Sequence, residues 1–226
     1  MSYRETTLNI GEIYHVYNRG VEKRIIFKEK KDYERFTSSL IVFNTEDSTG
    51  GLFEFERQKL EKPPQDKKLV NIIAYSLGKN HYHFILEQIK ENGIAKFMHK
   101  VGMGYSKYFN HKYQRVGTLF QGNFKSIHVS TDEYLFYLSV YINLNNKIHT
   151  GKTEDLEYSS WGEYSDNTIT DGECLCSNEL LLNECKNKNS YKKNALRLLP
   201  ELIRQKMEKK ELKEKEIKFQ QITLET

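Results

Sequence analysis

Two imidazoles separated by one aromatic residue, His81-Tyr82-His83, follow the apolar run Val70 to Leu77 and precede Phe84-Ile85-Leu86. Residues two apart on a β-strand share a face. Both rings would project together while Tyr82 points the other way, a ready pair of metal ligands on a rigid element. Further on, Tyr141 and Asn145 are four apart in a segment of helical periodicity, so they stack on one side. A phenol and an amide oxygen could then face a metal held by His81 and His83. Three ligands with open positions would leave room to grip a substrate phosphate. A divalent ion polarises a non-bridging oxygen of a phosphodiester and orients the phosphorus for in-line attack. A phenol with the ordinary pKa of about 10 is a weak nucleophile, and a nearby cation favours the phenolate. Attack would give a covalent protein–DNA intermediate and split strand transfer into two reversible steps. Plainer readings stand beside this one. The histidines could be hydrogen-bonded strand residues, Tyr141 could be packing with Tyr105 or Tyr108 as nucleophile, and Asn145 could be a helix C-cap.

The elements that must position these residues follow from periodicity. Ile13 to Tyr17 is a β-rich run closed by Asn18-Arg19-Gly20. Asp32 to Phe43 reads as a helix with Tyr33, Phe36, Leu40 and Phe43 on one face and Asp32 as N-cap. Asn44 to Lys68 is a long surface excursion, with a short strand expected at Leu52 to Phe55. Val70 to Leu77 and His81 to Glu87 are strands joined by a hairpin turn at Gly78-Lys79-Asn80. A helix runs from about Gly93 to His111, a loop with Gly117 and Gly122 follows, and Phe124 to Val129 is the fourth strand. Thr131 caps a helix to about Lys147 that carries Tyr134, Tyr137, Tyr141 and Asn145 beside the apolar stripe Leu135, Leu138 and Ile142. The expected fold class is α+β: a ferredoxin-like βαββαβ antiparallel sheet with helices on one face, an additional catalytic helix, and a C-terminal helical extension. Residues 1–149 would be the main domain, with an insertion at 44–68. Residues 150–226 would be a polar linker and helical extension without a readable motif, ending in the solvated Lys/Glu helix Lys206 to Lys218.

Composition bounds the rest. A chain of 226 residues with 38% hydrophobic and 12% aromatic residues supports one sizeable core, not two. No apolar run approaches the roughly 20 residues of a spanning helix, and the first residues show no apolar secretory stretch, so a cytoplasmic location without membrane association is expected. A net charge of +4 permits a nucleic-acid partner without demanding one. Cys174, Cys176 and Cys185 have poor zinc-site spacing and read as reduced thiols. The loop residues Arg115, Phe120, Gln121 and Lys125 would suit phosphate contacts and base stacking, with Arg19 and Lys23 as further candidates. No phosphate-cradle motif is present.

The run Ala74 to Leu86 closely resembles the metal-binding strand pair of the IS200-like single-tyrosine transposases, in particular their REP-associated branch. Three other stretches agree in order: Tyr14 to Gly20, Gly117 to Ser126, and Tyr134 to Asn145. The resemblance spans about Tyr14 to His149. It implies His81 and His83 as metal ligands, Asn145 as third ligand and Tyr141 as nucleophile. It further implies Mg²⁺ or Mn²⁺, cleavage of single-stranded DNA through a 5′-phosphotyrosine, recognition of hairpins beside the cleaved site, and a homodimer. The chain departs from the pattern at Asn146, where the family often has Pro, and at Asn123, where it often has Arg. The rival reading is a non-catalytic DNA-hairpin-binding protein derived from such an enzyme. A third is a metal-dependent nuclease that uses water in place of Tyr141.

Overall fold

Alternation along the strands decides which side of the sheet each residue serves. The strands are β1 (Ile13–Arg19), β2 (Val70–Gly78), β3 (His81–Gln88) and β4 (Lys125–His128). The computed structural model describes residues 7–47, 64–151, 154–170 and 174–224. In it they form one antiparallel sheet in the order β2-β3-β1-β4. This is the order of a ferredoxin-like sheet, as expected. The strand expected at Leu52 to Phe55 lies outside the described residues.

Register sorts the faces. Val16 pairs with Phe84, and Leu77 with Tyr82. These side chains are buried on the face covered by α1 (Lys30–Val42) and α2 (Gly93–Lys112). Phe36 of α1 packs edge-on to Tyr105 of α2, with ring centroids 5.0 Å apart, and lies 5.6 Å from Tyr82. On the opposite face, Lys125, Tyr17, His83 and Ser76 form one cross-strand row, and Arg19 stands opposite His81. That second face receives α3 (Asp132–Asn143) and α4 (Asn145–Thr150).

Two boundaries differ from expectation. Asp32 is not the N-cap of α1. Glu29 takes that position, and Asp32 is the third helical residue, closing a reciprocal capping box with it. Fully buried, Asp32 also accepts hydrogen bonds from Lys112, Tyr108 and Tyr113 of the α2 end, so its side chain is used for tertiary pairing. The helix begun at Thr131, whose hydroxyl accepts from Tyr134 N, does not run unbroken to Lys147. It breaks at Leu144, where the preceding carbonyl, that of Asn143, accepts from Ser159 Oγ at 3.0 Å. Asn145 is thus the first residue of α4, not a C-cap.

The segment after Gly151 packs on the main domain. Ser160 N donates to Tyr75 O, Ser177 N to Ile72 O and Tyr164 Oη to Ile73 O, so the segment covers the open edge of β2. Helices α5 (Trp161–Ser165), α6 (Glu179–Cys185) and α7 (Lys188–Leu224) follow. Tyr164, Leu181, Tyr191 and Ala195 belong to the same buried cluster as the sheet. The three cysteines are free and buried. No helix among the described residues is long and apolar enough to cross a membrane.

Candidate active site

Strand periodicity places His81 and His83 side by side on the α3 face, with ring centroids 5.2 Å apart. The hairpin is tighter than a turn alone requires. Gly78 pairs with His81 across the ladder, and a Cβ added at Gly78 would stand 2.4 Å from His81 Cε1. The His81 imidazole therefore occupies space that only glycine leaves open. From α3, the Tyr141 ring comes within 6.2 Å of the His83 ring. From the start of α4, Asn145 Oδ1 lies 3.2 Å from His81 Nε2. The two histidines, Tyr141 and Asn145 thus meet within one chain.

A residue that its sequence context marks at most as a DNA contact on the first strand, with no catalytic role, completes the cluster. His15 Nε2 lies 2.9 Å from His83 Nδ1, and the two rings stack at 5.1 Å. Tyr17 lies against both rings, tilted at 4.9 Å from His15 and stacked at 5.7 Å from His83. Period-two alternation along β1 puts His15 and Tyr17 on the His83 face, but only the β1–β3 register reveals whom they meet.

Electrostatics favour neutral rings. Burial pushes His83 well below the usual imidazole range, helped by His15, His81 and His149 nearby. Burial lowers His15 to about 4. It also lowers His81, opposed by the Asn145 contact. A neutral imidazole is the metal-binding form. Burial raises the Tyr141 hydroxyl above the usual phenol range, while the adjacent Asn145 amide pulls it down.

The donor set fits a divalent cation. His81 Nδ1 lies 2.8 Å from Asn80 Oδ1, and Nε2 faces Asn145 Oδ1, so both ring nitrogens point at oxygen acceptors. A neutral imidazole has one N–H. When it donates to Asn80, a nitrogen lone pair faces an oxygen lone pair at Asn145, and both atoms would be available as donors to a cation. Asn145 Nδ2 is meanwhile buried without a hydrogen-bond partner among the described residues. Among the described residues no three His, Cys, Asp or Glu side chains are grouped to hold a metal. The candidate set here is two imidazoles and an amide oxygen.

A cleft of about 480 Å³ opens beside the histidines, lined by residues that include Tyr17, Arg19, Lys23, Gln121 and Lys125. Arg19 Nε donates to Gln121 Oε1. Four of the six residues expected to contact DNA therefore share this cleft. The other two lie elsewhere. Arg115 donates to Asn110 Oδ1 and Thr118 O and holds its own loop. Phe120 packs against Tyr82 and Tyr105 on the α1/α2 side of the sheet. Asn146, at the position where the resemblance leads one to expect Pro, donates to Leu77 O and ties α4 to β2. Asn123 is exposed on the β4 approach.

The sequence profile described as "Transposase IS200 like" matches residues 53–145. No curated protein matches the chain. A solved structure of a REP-associated tyrosine transposase bound to a REP hairpin superimposes with a TM-score of 0.53 at 12% identity, covering 77% of this chain and 91% of that one. At that identity the likeness shows a shared fold. Residues 53–145 are thus similar to the IS200-like transposases, and the fold is that of the REP-associated structure.

Proposed function

We propose that this protein cleaves and rejoins single-stranded DNA at hairpin-flanked sites through a covalent bond to Tyr141. The observation that carries the reading is the meeting of Tyr141 and Asn145 with His81 and His83 beside a cleft that presents Arg19, Lys23 and Lys125. His81, His83 and Asn145 would hold Mg²⁺ or Mn²⁺, with imidazole donors shifting the preference toward Mn²⁺. When bound, the ion offsets phosphate charge and favours the phenolate. His15, by accepting the Nδ1 proton of His83, leaves Nε2 of His83 free to ligate. Arg19 and Lys125 hold the phosphates on either side of the scissile bond, and the Arg19–Gln121 pair orients the strand. Tyr141 Oη loses its proton and forms a bond to phosphorus. The bond from phosphorus to the 3′ oxygen breaks, and that oxygen leaves as a hydroxyl after gaining a proton. The strand stays attached through a 5′-phosphotyrosine, and rejoining reverses the same steps with another 3′-hydroxyl. The structural neighbour binds a REP hairpin, which supports a DNA hairpin as partner here. Because the four residues meet within one chain, a homodimer would serve DNA pairing and not assembly of the site.

The test uses purified protein, a labelled single-stranded hairpin oligonucleotide and Mn²⁺. A denaturant-resistant adduct should form, vanish with chelator, and be absent in Tyr141→Phe. Adduct persisting in Tyr141→Phe would remove Tyr141 from its role. Cleavage to free ends without adduct would favour water as nucleophile.

A further inference from the structure

The sequence offers no motif after His149, yet that region makes an ordered polar network against the Tyr141 helix. Asn143, the last residue of α3, is fully buried two positions after Tyr141. Its Nδ2 donates to Tyr191 Oη of α7 at 2.9 Å, and its Oδ1 accepts from Ser160 Oγ at 2.5 Å. Ser160 Oγ accepts in turn from Tyr75 N of β2 at 2.9 Å. Tyr191 Oη lies 3.0 Å from Ser139 Oγ, and Ser139 Oγ donates to Phe136 O at 2.7 Å.

Proton counting gives this chain one direction. Ser139 spends its hydroxyl proton on Phe136 O, so Tyr191 must donate to Ser139 and accept from Asn143. Ser160 spends its proton on Asn143 and accepts from Tyr75. Every hydroxyl donates once and accepts once, which is the satisfied form of a buried network. Its placement is the telling feature. Ser139 and Asn143 flank Tyr141 by two residues each way, about 200° around a helix of 3.6 residues per turn. They therefore lie on the side opposite Tyr141. One side of α3 presents the phenol to the histidines, and the other is tied to β2 through Ser160 and to the C-terminal helix through Tyr191.

We infer that Asn143, Ser160 and Tyr191 are positioning residues that set the rotation and height of Tyr141 over His81 and His83. The C-terminal segment is on this view part of the catalytic apparatus. The inference rests on the function proposed above, but one of its readouts does not. A misplacement of the order of 1 Å at a reacting atom costs roughly 100-fold in rate, so loss of a single hydroxyl behind the helix should register.

Tyr191→Phe removes only that hydroxyl and keeps the ring that packs on Tyr164 at 4.8 Å. Asn143→Leu with Tyr191→Phe removes both partners. The remaining groups stay satisfied, because Ser160 Oγ has Tyr75 O at 3.3 Å and Ser139 Oγ keeps Phe136 O. Removing both members of such a pair is nearly neutral for stability. Three readouts are taken on wild type, single and double variants: melting temperature, the single-turnover rate of adduct formation at saturating oligonucleotide, and amide exchange of residues 132–145 against β3. Mn²⁺ affinity serves as the control on the histidines and should not move. The expected result is a rate reduced roughly 10–100-fold in both variants, with stability restored in the double variant and the rate not restored. Exchange of 132–145 should quicken in both while β3 keeps its protection. If rate and exchange recover together with stability in the double variant, the network is structural only and the inference fails. If wild type forms no adduct, the proposed function fails, and the exchange comparison still decides whether the network holds the helix.

Discussion

The contact between His15 and His83 gives the sharpest prediction about the proposed metal site. His15→Phe keeps a ring of similar size beside Tyr17 and removes both nitrogens. His83 Nδ1 then loses its 2.9 Å partner in a site whose burial already depresses His83 strongly. Leaving a buried polar group unsatisfied costs about 1–3 kcal/mol. At about 1.4 kcal/mol per decade, that is roughly 5- to 150-fold. Loss of an outer partner of a metal-ligating histidine costs about 10–100-fold in affinity by direct comparison. The two ranges agree, so the Mn²⁺ dissociation constant should rise roughly 10–100-fold. The measurement is a Mn²⁺ titration followed by electron paramagnetic resonance of the free ion, in protein without DNA. His15→Gln, whose amide reaches a similar distance with an acceptor, should recover part of the loss. Wild-type affinity in His15→Phe would refute the argument that His15 orients His83.

Three further outcomes follow from named contacts. Gly78→Ala places a Cβ 2.4 Å from His81 Cε1, so the ring must move; Mn²⁺ affinity should fall at least roughly tenfold with little change in circular dichroism, and an unchanged titration would sink the idea that Gly78 makes room for the ligand. Arg19→Ala and Lys125→Ala should weaken binding of single-stranded oligonucleotide and each reduce the slope of log affinity against log salt by about 0.7; Arg115→Ala, outside the cleft, should leave that slope unchanged. Asp32→Ala removes the shared acceptor of the part-buried Lys112, Tyr108 and Tyr113, although Lys112 keeps Glu29, and should cost about 1–3 kcal/mol, lowering the melting temperature by about 2–12 °C. Burial works to raise the Asp32 pKa, but hydrogen bonds from Lys112, Tyr113, Lys28 N and Tyr108 prevail and hold it below the usual carboxylate value. A depressed folded-state pKa gives stability that is full above the unfolded value and lost as pH falls through the folded one. The gap between wild type and Asp32→Ala should therefore begin to narrow as pH falls below about 4 and go on narrowing as it passes the lower folded-state value, and a gap that does not narrow with falling pH would contradict the assignment.

What could be read from the chain in advance was whatever depends on short spacing. His81 and His83 share a face because strands alternate, and Tyr141 and Asn145 were expected on one side because helices return about every four residues, although the helix in fact breaks between them at Leu144. Neither statement needs tertiary knowledge, and the structure brings the four residues together. The sheet was readable for the same reason: apolar runs of strand length, separated by turn residues and by two amphipathic helices, leave few topologies. Loop composition was a poorer guide. Arg115, Phe120, Gln121 and Lys125 have similar credentials as DNA contacts, but a loop that crosses the end of a sheet can send residues to either face. Gln121 and Lys125 turn to the histidine side, while Phe120 finds Tyr82 on the other.

The features that stayed hidden are long-range pairings between ordinary residues. His15 is 68 residues from His83 and meets it only because β1 pairs with β3 in one register. A shift of one residue would turn His15 into the α1/α2 core and bring a core residue to His83 in its place. Asn143 and Tyr191 are 48 residues apart, and nothing in a lone Asn or in one of fifteen tyrosines marks either. What makes them informative is the bookkeeping of donors and acceptors, which requires coordinates. The same bookkeeping separates two kinds of buried polar group in this protein. Around Asn143 every proton is matched, which suits a brace. At His81 and Asn145 the protein's own atoms leave acceptor facing acceptor and an amide nitrogen without a partner. A fold that satisfies the first cluster so fully and leaves the second incomplete, two residues away across the break at Leu144, has the pattern expected of a site that is finished by its ligand.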